Sequence, residues 1–197
     1  TDPFANSPNT GLMLDTFMLH INNITYDGRL AHLLSTRNVG GGRAYVDVLC
    51  SNSAQVAVST SLSTNIVPLP TFSWSVECVT HEMGHNMGSR HTHACVWNGN
   101  NTAIDGCGPA AGYNEGCNGP LPQDGTIMSY CHLLSGVGID FNLGFGPQPG
   151  DLIRQRYNDA SCNTGVCTPP LCTSLTTPTP GSTGVDINQN LFWTSSD

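Results

Sequence analysis

The stretch His81-Glu82-Met83-Gly84-His85-Asn86-Met87-Gly88-Ser89-Arg90-His91 decides the reading of this chain. It has the form H-E-x-x-H-x-x-G-x-x-H. On a helix, His81 and His85 stand four residues apart and share one face. Two imidazoles on one face can chelate one metal ion. Glu82 sits beside the first of them, where its carboxylate reaches a water held by that metal. Gly88 lets the chain leave the helix at positive φ, which a side chain resists. The turn then brings His91 round as a third ligand. Three protein ligands leave a fourth position for water, the mark of a catalytic rather than a structural zinc site. With 7 His, 22 Gly and three Glu in 197 residues, chance places these five residues in register on the order of once in 70,000 such chains. Composition alone therefore does not account for the pattern.

Downstream lies Gly125-Thr126-Ile127-Met128-Ser129-Tyr130, with Met128 37 residues after His91. A methionine in an apolar setting is ordinarily core. After three spaced histidines it resembles the methionine turn that underlies the metal in metzincin zinc proteases. Tyr26-Asp27-Gly28-Arg29-Leu30-Ala31-His32-Leu33-Leu34-Ser35 and Gly40-Gly41-Gly42-Arg43-Ala44-Tyr45-Val46-Asp47 are similar to the adamalysin (reprolysin) branch, above all its bacterial reprolysin-like relatives. The resemblance covers about residues 1 to 165.

It implies an α+β fold of metzincin (zincin) type with an α/β-like upper part. That fold is a twisted mixed sheet with a zinc-binding active-site helix, a loop-rich lower part stapled by disulfides and a C-terminal helix. It also implies a zinc endopeptidase with one catalytic Zn2+ on His81, His85 and His91, above Met128. Glu82 would take the proton from the attacking water and return it to the leaving amine. The substrate would be an extended polypeptide, paired by β-augmentation with the strand Gly41 to Asp47 and touching Gly42 and Ala44. Leu133 and Leu134, with Val137 and Ile139, would wall the pocket for the residue after the cut and favour an apolar one there. The same four residues read equally as ordinary core.

Two positions depart from the adamalysin pattern. Thr92 and then His93 follow His91, where that branch has Asp, so the bracing role of the Asp is vacant or passes to another group. Tyr130 falls two residues after Met128, as in astacins and serralysins. Its phenol either hydrogen-bonds charge developing in the transition state or is a buried hydroxyl bonded to backbone. The family spacing selects His91 over His93 as third ligand, and His20, His32 and His132 read as structural or surface groups.

The net charge is −8, with six Arg and no Lys. Such a surface does not attract nucleic acid or anionic membrane. No apolar run of 18 residues indicates a transmembrane segment, and the N-terminus carries no signal-peptide pattern. A monomer is assumed. Nine cysteines stand at 50, 78, 95, 107, 117, 131, 162, 167 and 172, none in a C-x-x-C pair. That spread reads as disulfides, hence a secreted, extracellular protein. Spacing does not give the connectivity. The resemblance suggests Cys50 with Cys162. Cys95, Cys107, Cys117 and Cys131 flank a loop-rich region that needs staples, and the odd cysteine is free or pairs outside this chain. Asp105 and Asp124, in Gly-rich loops, are candidates for Ca2+ without EF-hand spacing.

Periodicity gives a helix over 12–21, strands over 30–34, 43–49 and 55–59, and the zinc helix over 73–87. Residues 92–126 read as loop, and a last helix runs from about 149 to 157. Residues 1–167 are the catalytic domain, expected to lack upstream strands of its relatives. Residues 168–184 are a Thr/Pro/Gly-rich linker. Residues 185–197, where Val185–Asn188 and Leu191–Thr194 alternate like strands, are either the start of a fibronectin type III-like module or a disordered tail. Two other readings compete with an active protease: a metal-binding adhesion module without turnover, and an inert fragment.

Overall fold

The computed structural model describes residues 4, 6–26, 28–65 and 67–162, and the strands 173–177 and 192–195. The helix α1 (Thr10–Asn22) opens at Asn9, whose side chain accepts from the Leu12 amide, an N-cap that satisfies an otherwise orphaned donor. Its residues Met13, Leu14, Phe17 and Ile21 share one face and pack on Val56 and Val58, burying the apolar stripe that stabilises the pair. Those valines belong to β3 (Val56–Ser59), the central strand of a three-stranded sheet. β1 (Ala31–Leu34) runs parallel to it, with Ala31 opposite Val56. β2 (Gly42–Ala44) runs antiparallel on the other side, with Gly42 opposite Ser59. The sheet is thus mixed, and β2 is an edge.

β2 is shorter than the strand expected over 43–49. Asp47 turns at φ 60°, and its amide bonds the His85 carbonyl while the Val48 amide bonds that of Asn86. These donors bond carbonyls of the last turn of α2 (Trp74–Asn86), that of His85 being shared with the Gly88 amide, so the chain leaves the ladder to join the helix end. α2 buries Glu77, Cys78, His81, Glu82, Gly84, His85 and Asn86. Its inward face is chemical rather than oily.

The region expected as loop over 92–126 contains one short helix, α3 (Cys107–Ala110). Two constraints form it: the Cys107–Cys131 disulfide, and Asp105 Oδ1, which accepts from the Cys107 amide. The other bonds are Cys95–Cys117 and Cys50–Cys162. Cys78 is the free thiol among the described residues. α4 (Pro147–Asp159) begins with Pro at N1, which suits a helix start, and exceeds its expected span by two residues at each end. The mixed sheet, helices and stapled lower part are the α+β architecture expected.

Residues 163–197 form a separate compact unit. In it β4 (Thr173–Thr177) pairs antiparallel with β5 (Phe192–Ser195). Thr173–Thr177 fell inside the expected linker; its β-branched residues favour a strand instead. The strand expected over 185–188 lies outside the described residues, as do Cys167 and Cys172. No helix among the described residues is long and apolar enough to cross a membrane.

Candidate metal centre and active site

Each of the three histidines is held from behind. His81 Nδ1 donates to the Ile127 carbonyl at 2.7 Å, and His85 Nδ1 to the Ser89 carbonyl at 2.8 Å. His91 Nδ1 meets Glu115 Oε1 at 2.5 Å. A carbonyl only accepts, so these bonds fix the proton on Nδ1 and leave Nε2 with its lone pair. One nitrogen of each of the three rings lies within 4.8 Å of the others. His85 Nε2 and His91 Nε2 are only 3.1 Å apart. Two lone pairs at that distance repel unless a cation lies between them. Burial disfavours imidazolium in all three: His81 falls well below its ordinary value, His85 is lowered, and His91 is held down to about 2. Three neutral imidazoles with braced outer nitrogens are a donor set that fits one small divalent cation.

The turn that delivers His91 forms as expected, with Gly88 at φ 97°. Gly84 has a different task. A Cβ there would meet Met128 Sδ at 2.5 Å and the Phe145 ring at 2.8 Å. Its absence lets the methionine turn press directly on the helix between the two histidines. Met128 is fully buried. Thr92, next to His91, ties the chain to the Met128 turn. Its amide donates to the Met128 carbonyl at 3.0 Å and its hydroxyl to the same oxygen at 3.3 Å.

Glu82 lies beneath β2. A Cβ on Gly42 would run into its carboxylate, so only glycine permits this approach. Burial raises Glu82 to about 8, with Arg43 pulling the other way. A divalent cation at the histidines would pull it down further. Tyr130 brings its ring centroid to 4.7 Å from that of His91 and 6.0 Å from that of His81. Burial first, then nearby carboxylates, push its hydroxyl up to about 12, so it stays a hydrogen-bond donor.

Two cavities flank the histidines. One of about 460 Å³ is lined by Gly41, Trp74, Glu77, His81, Tyr130 and Leu133, among others. One of about 280 Å³ is lined by Gly42, Ala44, His85, Arg90, His91 and Tyr130, among others. Glu82 borders both. Gly42 and Ala44 therefore stand along the cleft, and Leu133 at its rim. Leu134 is half-buried and lines neither cavity.

Sequence reasoning missed Glu77 and Glu115. Glu115 orients His91 and also stands 3.5 Å from His93 Nε2; the Cys95–Cys117 bond anchors its loop. Glu77 is buried one turn before His81, and both its oxygens lack hydrogen-bond partners among the described residues. Burial pushes it up to about 9. One signal was available: glutamate is scarce in this chain, and all three of its glutamates lie in this site. His93 is buried and stacks on His91 with ring centroids 4.8 Å apart. The group Asp105, Cys107 and Cys131 also clusters, but the two sulfurs are bonded to each other.

Among curated proteins none matches the chain. A family model does: residues 2–133 match Reprolysin_5, metallo-peptidase family M12.

Proposed function

Because the chain belongs to metallopeptidase family M12, we propose that it is a secreted zinc-dependent endopeptidase whose working residues are His81, His85, His91, Glu82 and Tyr130. The observation that carries this reading is the convergence of three Nε2 lone pairs, each fixed by a bond at Nδ1, beside a buried carboxylate.

Zinc, when bound by the three imidazoles, supplies a Lewis acid that acidifies water and polarises a carbonyl. Glu82 holds the proton that the attacking water gives up. A cation at the histidines would lower the Glu82 carboxyl from its buried value, which suits it to take that proton and then release it to the departing amine nitrogen. The Tyr130 hydroxyl donates to the oxygen on which charge builds. β2 is a sheet edge whose outer side is unpaired by any other strand of the sheet. An extended substrate can add there as a further strand, lying along Gly42 and Ala44. Such pairing reads backbone rather than chain ends, which favours an endopeptidase. Three disulfides support an oxidising compartment.

The test compares casein hydrolysis by the zinc-loaded chain and by Glu82→Gln at equal zinc content. Removal of the proton carrier should lower the rate by about 10²- to 10⁴-fold. Equal turnover by the two proteins would discard Glu82 as the base.

A further inference from the structure

The larger cavity contains an acid that the peptidase mechanism does not use. Glu77 forms part of its floor and is 1% exposed. Neither oxygen accepts a hydrogen bond among the described residues. The nearest cationic candidate, His81 Nδ1, is 4.0 Å away and already donates to Ile127 at 2.7 Å. Glu77 is thus not the brace of His81. A buried carboxyl without partners is costly to a fold. An apolar residue here would pack without that cost, so the group points to a ligand.

The remaining walls narrow the choice of ligand. Trp74, Tyr113 and Tyr130 line the cavity, and no Arg or Lys does. The Trp74 ring is pinned by Nε1 donating to the Thr60 carbonyl at 3.2 Å. Aromatic faces attract cations, and guanidinium also stacks on them. Leu133, half-exposed at the rim, suits the methylene stem of a long side chain. We propose that this cavity receives a cationic side chain of the substrate, arginine or lysine, at the residue following the cleaved bond, with Glu77, ionised as the cation enters, as its counter-ion. This assignment rests on the peptidase reading. It replaces the apolar preference inferred from Leu133, Leu134, Val137 and Ile139, of which only Leu133 lines the cavity.

The test has two arms. In the first, zinc-loaded wild type, Glu77→Gln and Glu77→Leu cleave fluorogenic peptides that differ only in the residue after the cut: Arg, Lys, Leu or Glu. The ratio of kcat/KM for Arg over Leu should be roughly tenfold or more in wild type and should collapse in both variants. In the second, calorimetry measures binding of L-argininamide and L-leucinamide to the same three proteins. Wild type should prefer argininamide, and the Glu77 variants should not. Turnover of every peptide without an Arg preference, with equal amide binding, overturns the inference and leaves the peptidase standing. Absent turnover with Glu77-dependent argininamide binding keeps the site and removes the peptidase. The isosteric Glu77→Gln guards against a folding defect in Glu77→Leu.

Discussion

His85 Nε2 and His91 Nε2 face each other at 3.1 Å with both protons committed to the far side of their rings. Two such lone pairs suit a shared cation, which would bind between them. Zinc should therefore stabilise the fold as well as occupy it. At zinc a hundredfold above Kd the gain is about 2.7 kcal/mol, read as a rise in Tm by calorimetry. His91→Ala should lose both the zinc stoichiometry and the Tm response. A Tm indifferent to zinc in wild type would mean that the rings do not share an ion.

Glu115 holds the His91 ring, and through it would act on a metal bound there. Carboxylates that orient a metal-binding histidine from its far nitrogen contribute about 10- to 100-fold in metal affinity. Glu115→Ala should weaken zinc binding by that factor in a chelator competition. Glu115→Gln keeps an acceptor for Nδ1 and should lose less. Identical affinities in all three proteins would make the 2.5 Å contact incidental.

Gly84→Ala places a methyl group against Met128 Sδ and the Phe145 ring. Overpacking at such a junction costs about 1–3 kcal/mol. Urea unfolding should show a lower midpoint at an unchanged slope. A variant as stable as wild type would show that the methionine turn is free to retreat.

Glu77 gives the apoprotein a particular pH dependence. Its folded value of about 9 lies above the roughly 4.3 of an unfolded glutamate. Its contribution to stability is complete below the unfolded value and is lost as pH rises through the folded one. Glu77→Gln has no such titration. The Tm of the variant relative to wild type should therefore climb between pH 5 and pH 8. A difference that stays constant across that range would contradict the elevated value.

The histidine motif was legible because its spacing is the chemistry: 3.6 residues per turn put His81 beside His85 whatever else the chain does. α1, β1 and β3 were legible from apolar periodicity for the same local reason, and α4 from the residues at its start. The shortening of β2 was not. It depends on Asp47 bonding a helix terminus formed about 40 residues later, a contact that no local pattern encodes. α3 was hidden too, since a disulfide to Cys131 and an Asp105 bond make a helix of a Gly- and Pro-containing turn. Glu77 and Glu115 were readable only as residue types. What gives each a role is its neighbours, His81 and the aromatic walls for one, His91 for the other, and those come from tertiary structure. Thr92 shows the converse. The departure from the family pattern left the bracing role open, vacant or passed to another group, and the contact found there is a backbone amide to Met128 that any residue but proline would carry.

The covalent threading has a consequence for a molecule that cuts polypeptides and meets others that do. The Cys95–Cys117 and Cys107–Cys131 loops interlock in sequence, and both fall inside the span closed by Cys50 and Cys162. One backbone nick anywhere between residues 50 and 162 leaves the two pieces tethered by at least one sulfur bridge. Such a nicked form runs at full size on a gel until a thiol is added, and the ring nitrogens on either side of the nick stay bound to one another's scaffold.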